Sequence, residues 1–180
     1  MRVVSRALIA ALVCSVALTG CQSKESKSNE VSTFSFVVYP GARYLSQLTD
    51  MTKQAKKIMQ PSQDPGPTAI YDVDAPVEQV AEFYAKSYGY NKIAPDITNN
   101  LNVTKPPAYY RVGDLATDVK AIEPLLPKLN LHPDLSKAQG KYKAADLEPI
   151  PNRPRVTVQR PYFDVITSQV VDRTMILMSR

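Results

Sequence analysis

Residues 74 to 89 constrain the fold more than any other stretch. Val77, Val80, Ala81, Tyr84 and Tyr88 stand at i, i+3, i+4, i+7 and i+11, the spacing that lines one face of an α-helix. Asp74-Ala75-Pro76 is a start signal, because proline fits a first helical turn where its missing N–H costs nothing. Gly89 is the matching stop. A helix with a single apolar face must be covered by another layer. The runs Phe34 to Tyr39 (FSFVVY), Thr68 to Val73, Ala108 to Val112, Arg155 to Arg160 (RVTVQR) and Arg173 to Ser179 (RTMILMS) supply one, being short and mostly β-branched or aromatic.

Further elements fill the intervals. In Ala42 to Gln60, Leu45, Leu48, Met51 or Thr52, Ala55 and Met59 recur at three- and four-residue steps, with Lys53, Lys56 and Lys57 toward the other side, which predicts a helix ended by Pro61, Pro65, Gly66 and Pro67. Asn91 to Pro107 reads as a loop. Asp114 to Leu129 carries Leu115, Val119, Ile122, Leu126 and Leu129 at helical spacing, but Pro124 and Pro127 make it either two short turns or a kinked helix. Residues 130 to 154 read as an extended, proline-punctuated connection. The last two strands are expected to be antiparallel neighbours joined through residues 161 to 172. The pattern predicts a single α+β domain over residues 34 to 180, its helices packed on one face of a mainly antiparallel sheet.

The N-terminus has a different character. Arg2 and Arg6 precede Ala7 to Leu18, an apolar run of twelve residues, too short for the roughly 20 that a helix needs to span a membrane. This is signal-peptide anatomy. It ends in Leu18-Thr19-Gly20-Cys21, which resembles the lipobox of bacterial lipoproteins: a branched apolar residue, two small residues and a cysteine. The resemblance implies cleavage between Gly20 and Cys21 by the lipoprotein signal peptidase, a diacylglyceryl group on the Cys21 thiol and acylation of the new amine. Two or three acyl chains give stable anchoring where one does not. Gln22, in place of the aspartate typical of inner-membrane retention, favours the outer membrane if the cell is Gram-negative. Gln22 to Thr33 (QSKESKSNEVST) has almost nothing to bury and reads as a flexible tether with a reach of about 20 Å. Tyr39-Pro40-Gly41-Ala42 and the Phe83-Tyr84 helix, within residues 36 to 90, resemble bacterial envelope domains of unassigned function, and that likeness implies no activity.

Charge and cysteine content narrow the function further. Once Arg2 and Arg6 leave with the signal, twenty basic residues face seventeen acidic ones. A net charge of +3 spread along the chain gives little field for nucleic acid, so no nucleic-acid partner is expected. Cys14 lies in the signal and Cys21 at its end, which leaves the domain without a disulfide, a cysteine nucleophile or a cysteine zinc ligand. His132 is the only histidine and precedes Pro133 in an expected loop; no serine lies in G-x-S-x-G, and no metal site or cofactor is expected. Asp72 and Asp74 fall on one face if their strand extends far enough, a pair suited to calcium or acid/base work, or else a solvated strand end before a helix N-terminus. Neither G-x-G-x-x-G nor G-x-x-x-x-G-K occurs, so a nucleotide cradle is not expected.

Tyr109, Tyr110, Arg111, Arg153, Arg155, Arg160 and Tyr162 have the residue types of an interaction surface. Arginines on a polar strand face, guarded by Pro149, Pro151, Pro154 and Pro161, are the simpler explanation. The leading expectation is therefore a lipid-anchored, non-catalytic binding or interaction module of the bacterial envelope, with an envelope protein or a small amphiphile as partner. A small-molecule or lipid carrier, its pocket between helix 77 to 88 and the sheet, is the alternative. An envelope hydrolase using carboxylates or His132 is the third.

Overall fold

Among the described residues, eight strands and three α-helices follow in the order β1 (Arg43–Tyr44), α1 (Ser46–Met59), β2 (Thr68–Val73), α2 (Val77–Ser87), β3 (Ala108–Asp114), α3 (Leu115–Ile122), β4 (Lys141–Leu147), β5 (Arg155–Arg160), β6 (Tyr162–Asp164), β7 (Gln169–Val171) and β8 (Thr174–Ser179). The computed structural model describes residues 35–96 and 105–180. The expected export signal, Cys21, the expected tether and the middle of the expected 91 to 107 loop lie outside the described residues. Six strands form one sheet in the order β1-β2-β8-β5-β4-β3, every pair antiparallel. The hairpin β6–β7 stands apart from it. Phe34–Arg180 forms one compact unit, a single α+β domain on a mainly antiparallel sheet. Among the described residues no helix is long and apolar enough to cross a membrane.

α2 forms as its spacing predicts. Pro76 is the residue before the first turn, and Gly89 (φ +66°) closes the last one. The Gly89 N–H reaches the Lys86 carbonyl (3.2 Å) and the Tyr90 N–H reaches that of Ala85 (2.8 Å), a Schellman closure. Val80, Ala81 and Tyr84 are fully buried against Ala145, Leu147, Val156, Val158, Ile176 and Met178. Residues alternate across a strand, so Ile70, Ala144, Met175 and Leu177 point to the other face. There α1 packs through Leu48, and α3 through Leu115 and Val119. The helices therefore lie on both faces of the sheet, one against two, rather than on one. The physical reason is visible in β8: Met175 and Leu177 are as apolar as Ile176 and Met178, so both faces need cover.

Other departures from the sequence reading have equally local causes. Residues 35–39 make no strand; the backbone N–H groups of Val37 and Tyr39 donate instead to the hydroxyls of Tyr88 and Tyr84, each at 3.1 Å. Residues 141–147, expected in a connection, form β4 between β3 and β5. Its KYKAADL has weak strand propensity, and two neighbouring strands supply what propensity lacks. The region with two prolines resolves into α3, capped by Asp114 accepting from the Thr117 N–H at 3.0 Å, and two single 3₁₀ turns, Glu123–Leu125 and Pro127–Leu129. β5 and β8 pair antiparallel as expected, and the segment between them contains the β6–β7 hairpin.

Candidate functional site

α1, α3 with its two 3₁₀ turns, and the β6–β7 region do not fill the space above their face of the sheet. They enclose an apolar cavity of about 490 Å³. Ile70, Met175 and Leu177 form its floor. Leu48, Met51, Ala55 and Met59 of α1 form one wall, and Val119, Ile122, Leu126 and Leu129 the facing one. Tyr162, Phe163 and Val165 close an end. Met59 is 57% exposed and Ile122 37% exposed, so apolar surface continues from the interior to the rim. Methionines at such positions repack easily around ligands of irregular shape.

A second, polar groove of about 590 Å³ lies on the same face of the sheet. Gln159, Met175 and Leu177 line both hollows, so the two adjoin along β8 and β5. The groove is organised by ion pairs. Arg111 reaches Asp146 (2.5 Å) and donates to the Tyr142 hydroxyl, which in turn donates to Asp118 on α3. Thr157 donates to the other Asp146 oxygen at 2.7 Å. Burial works against the Arg111 charge, but Asp146 and Tyr142 together raise its affinity for its proton. Beside them Tyr109 donates to Glu148 (3.1 Å), and burial, reinforced by Asp146 and Glu148, pushes its hydroxyl up to about 12. Gly113 makes the network possible: a Cβ there would stand 2.1 Å from the ring of Tyr142, its register partner.

The seven residues singled out from the sequence are not brought together. Tyr109, Arg111 and Arg155 share the polar groove. Tyr110 points to the opposite face, where Lys143 lies 5.2 Å from its ring. Arg153 donates to the Gly89 carbonyl at the end of α2 (3.0 Å) and covers Tyr90. Arg160 binds Asp172 and Asp74 at 2.8 and 3.2 Å. Tyr162 is buried, its hydroxyl donating to Asp72 at 3.2 Å.

Asp72 and Asp74 do not form a pair of cooperating carboxylates either, since arginines take each one separately. Asp72 is fully buried between Arg43 (2.7 Å) and Arg173 (3.1 Å). Burial alone would raise its pKa, but the two guanidinium groups outweigh it and hold the carboxyl below its ordinary value. His132 is exposed, between the Pro127–Leu129 turn and a further 3₁₀ turn at Leu135–Lys137.

No family model, no curated protein and no solved structure matches the chain. Geometry and chemistry therefore carry the functional argument alone. The space between helix 77 to 88 and the sheet, where a carrier pocket was expected, is filled by Val80, Ala81 and Tyr84. The cavity lies on the opposite face. Its polar lining residues include Thr52, Asp118, Gln159 and Lys56, the last of which the helical spacing turns away from the apolar side. Its Nζ instead donates to Thr68 Oγ1 at 2.8 Å and lies 3.5 Å from the Pro65 carbonyl.

Proposed function

We propose that the chain is a bacterial envelope lipoprotein anchored through lipid on Cys21, and that its domain is a non-catalytic binding module holding a small amphiphile between α1, α3 and the sheet. The observation that carries the ligand part is the apolar cavity of about 490 Å³, inside the 300–1,000 Å³ range of small-molecule sites. A cavity of this size lined by leucine, isoleucine and methionine gains by being filled, because lining atoms without partners forfeit dispersion contacts. The anchor part rests on Leu18-Thr19-Gly20-Cys21 and the apolar segment before it. Together they describe a module kept where amphiphiles are concentrated.

Titration with a fluorescent single-chain amphiphile tests the ligand part. Saturable binding, with a rise in thermal midpoint that grows with ligand concentration, is expected. Ala55 lines the cavity on α1, so Ala55→Phe should abolish both effects while the circular dichroism spectrum is unchanged. Binding that persists in this variant would place the ligand elsewhere.

A further inference from the structure

The boundary between the cavity and the polar groove is built from one row of the sheet. Thr68 on β2 and Arg155 on β5 are both in register with Ser179 on β8, so all three point to the face that α1 covers. Thr68 and Arg155 are thus two strand spacings apart, about 10 Å. Lys56 reaches down from α1 to Thr68, which places its ammonium on this row. One step inward along the same face, the row becomes Ile70, Leu177 and Thr157, and the step after that Asp72, Met175 and Gln159, with Asp72 fully buried between its arginines. A cationic edge therefore gives way to the apolar side chains of Ile70, Leu177 and Met175, flanked by Thr157 and Gln159.

The two cations are not neutralised alike. Lys56 is held by a hydroxyl and a carbonyl, neither carrying charge. Arg155 uses Nη2 for both oxygens of Glu148 (2.8 and 2.7 Å), which leaves its Nε and Nη1 without a partner among the described residues. Burial and, after it, the charge of Arg155 lower the affinity of Lys56 for its proton. An anion set between the two would remove that repulsion and meet unused donors on both.

Cavity size limits the apolar part of the ligand. At about 490 Å³ the space falls in the lower half of the range of small-molecule sites, the scale of one acyl chain rather than two.

We infer that the ligand is a single-chain amphiphile with an anionic head group, its chain lying on Ile70, Leu177 and Met175 and its head between Lys56 and Arg155. This rests on the cavity reading above and adds the head-group chemistry to it.

Native mass spectrometry of the full-length Cys21→Ser chain, which has no acyl group of its own, tests the assignment with two probes of equal chain length. These are palmitoyl lysophosphatidylglycerol and neutral monopalmitoylglycerol. The anionic probe should bind at least tenfold more tightly. Lys56→Gln combined with Arg155→Gln should erase that preference and leave the neutral probe unaffected, while Ala55→Phe removes both. Equal affinity for the two probes, or a preference that survives the double substitution, would overturn the head-group assignment and leave the cavity reading standing. Failure of both probes to bind in an Ala55-dependent way would overturn both readings.

Discussion

Gly113 and Asp72 show how single residues set the geometry of this face of the sheet. Gly113 has no side chain where the Tyr142 ring crosses from β4, and that crossing lets Tyr142 link Arg111 to Asp118. Gly113→Ala should therefore force the ring aside and cost about 2 kcal/mol, as overpacked sites do. Chemical denaturation measures the loss, and a variant as stable as the parent would show that the ring can move without penalty. Asp72 acts through charge. Its folded-state pKa is depressed, so its contribution is complete above the unfolded value of about 3.9 and disappears as pH falls through the lower folded value. Stability measured from pH 7 to pH 2 should decline below about pH 4. Asp72→Asn should be destabilised by about 3 kcal/mol at neutral pH and should flatten that acid limb. An unchanged acid slope in Asp72→Asn would assign the decline to other carboxylates.

Elements here are held by a few directed bonds at their ends. α3 has only eight residues and depends on Asp114, whose side chain accepts from the Thr117 N–H and hydroxyl. Asp114→Ala should cost about 1 kcal/mol. Since α3 walls the cavity, hydrogen exchange of its amides should quicken in this variant while that of α2 stays as it was. The extended residues before β1 depend on α2 in a similar way, through the hydroxyls of Tyr84 and Tyr88. Burial raises the pKa of both hydroxyls, with the bonds to Tyr39 and Val37 opposing it, so both remain donors and acceptors at neutral pH. Tyr84→Phe removes one of these acceptors and should cost about 1 kcal/mol. Protease cleavage near Val38 is the sensitive readout: faster cutting in Tyr84→Phe is expected, and an unchanged rate would mean that the Tyr88 hydroxyl and the packing of Phe36 and Tyr39 suffice to hold the segment.

At the scale of the whole molecule, the space between α2 and the sheet is packed, whereas the other face carries the apolar cavity and the groove beside it. The contrast follows from what covers them. α2 places Tyr84 and branched residues directly over β4 and β5, whereas α1 and α3 stand at separate ends of their face and leave the floor between them partly open. The proposed lipid anchor belongs to this scale too. Cys21→Ser should abolish lipid labelling and release the protein from membranes on fractionation. Retention in the membrane pellet would refute the anchor.

Much of this architecture was legible in the residues themselves. The α2 stripe with Pro76 and Gly89, the β5 and β8 runs, and the breaks at Pro124 and Pro127 are encoded by local spacing and backbone restriction, and a chain obeys these whatever surrounds it. So were the apolar residues of α1 that line the cavity. Periodicity says that Leu48, Ala55 and Met59 turn inward; it does not say whether another side chain meets them there. That depends on how far apart α1 and α3 come to rest, which only the assembled layers decide. β4 shows the same division, since KYKAADL becomes a strand through ladders supplied by β3 (Ala108–Asp114) and β5 (Arg155–Arg160), which its own composition does not announce. The row of Lys56, Thr68, Ser179 and Arg155 draws on residues from four elements. It exists because antiparallel register places distant residues side by side on one face, a relation that no local pattern contains.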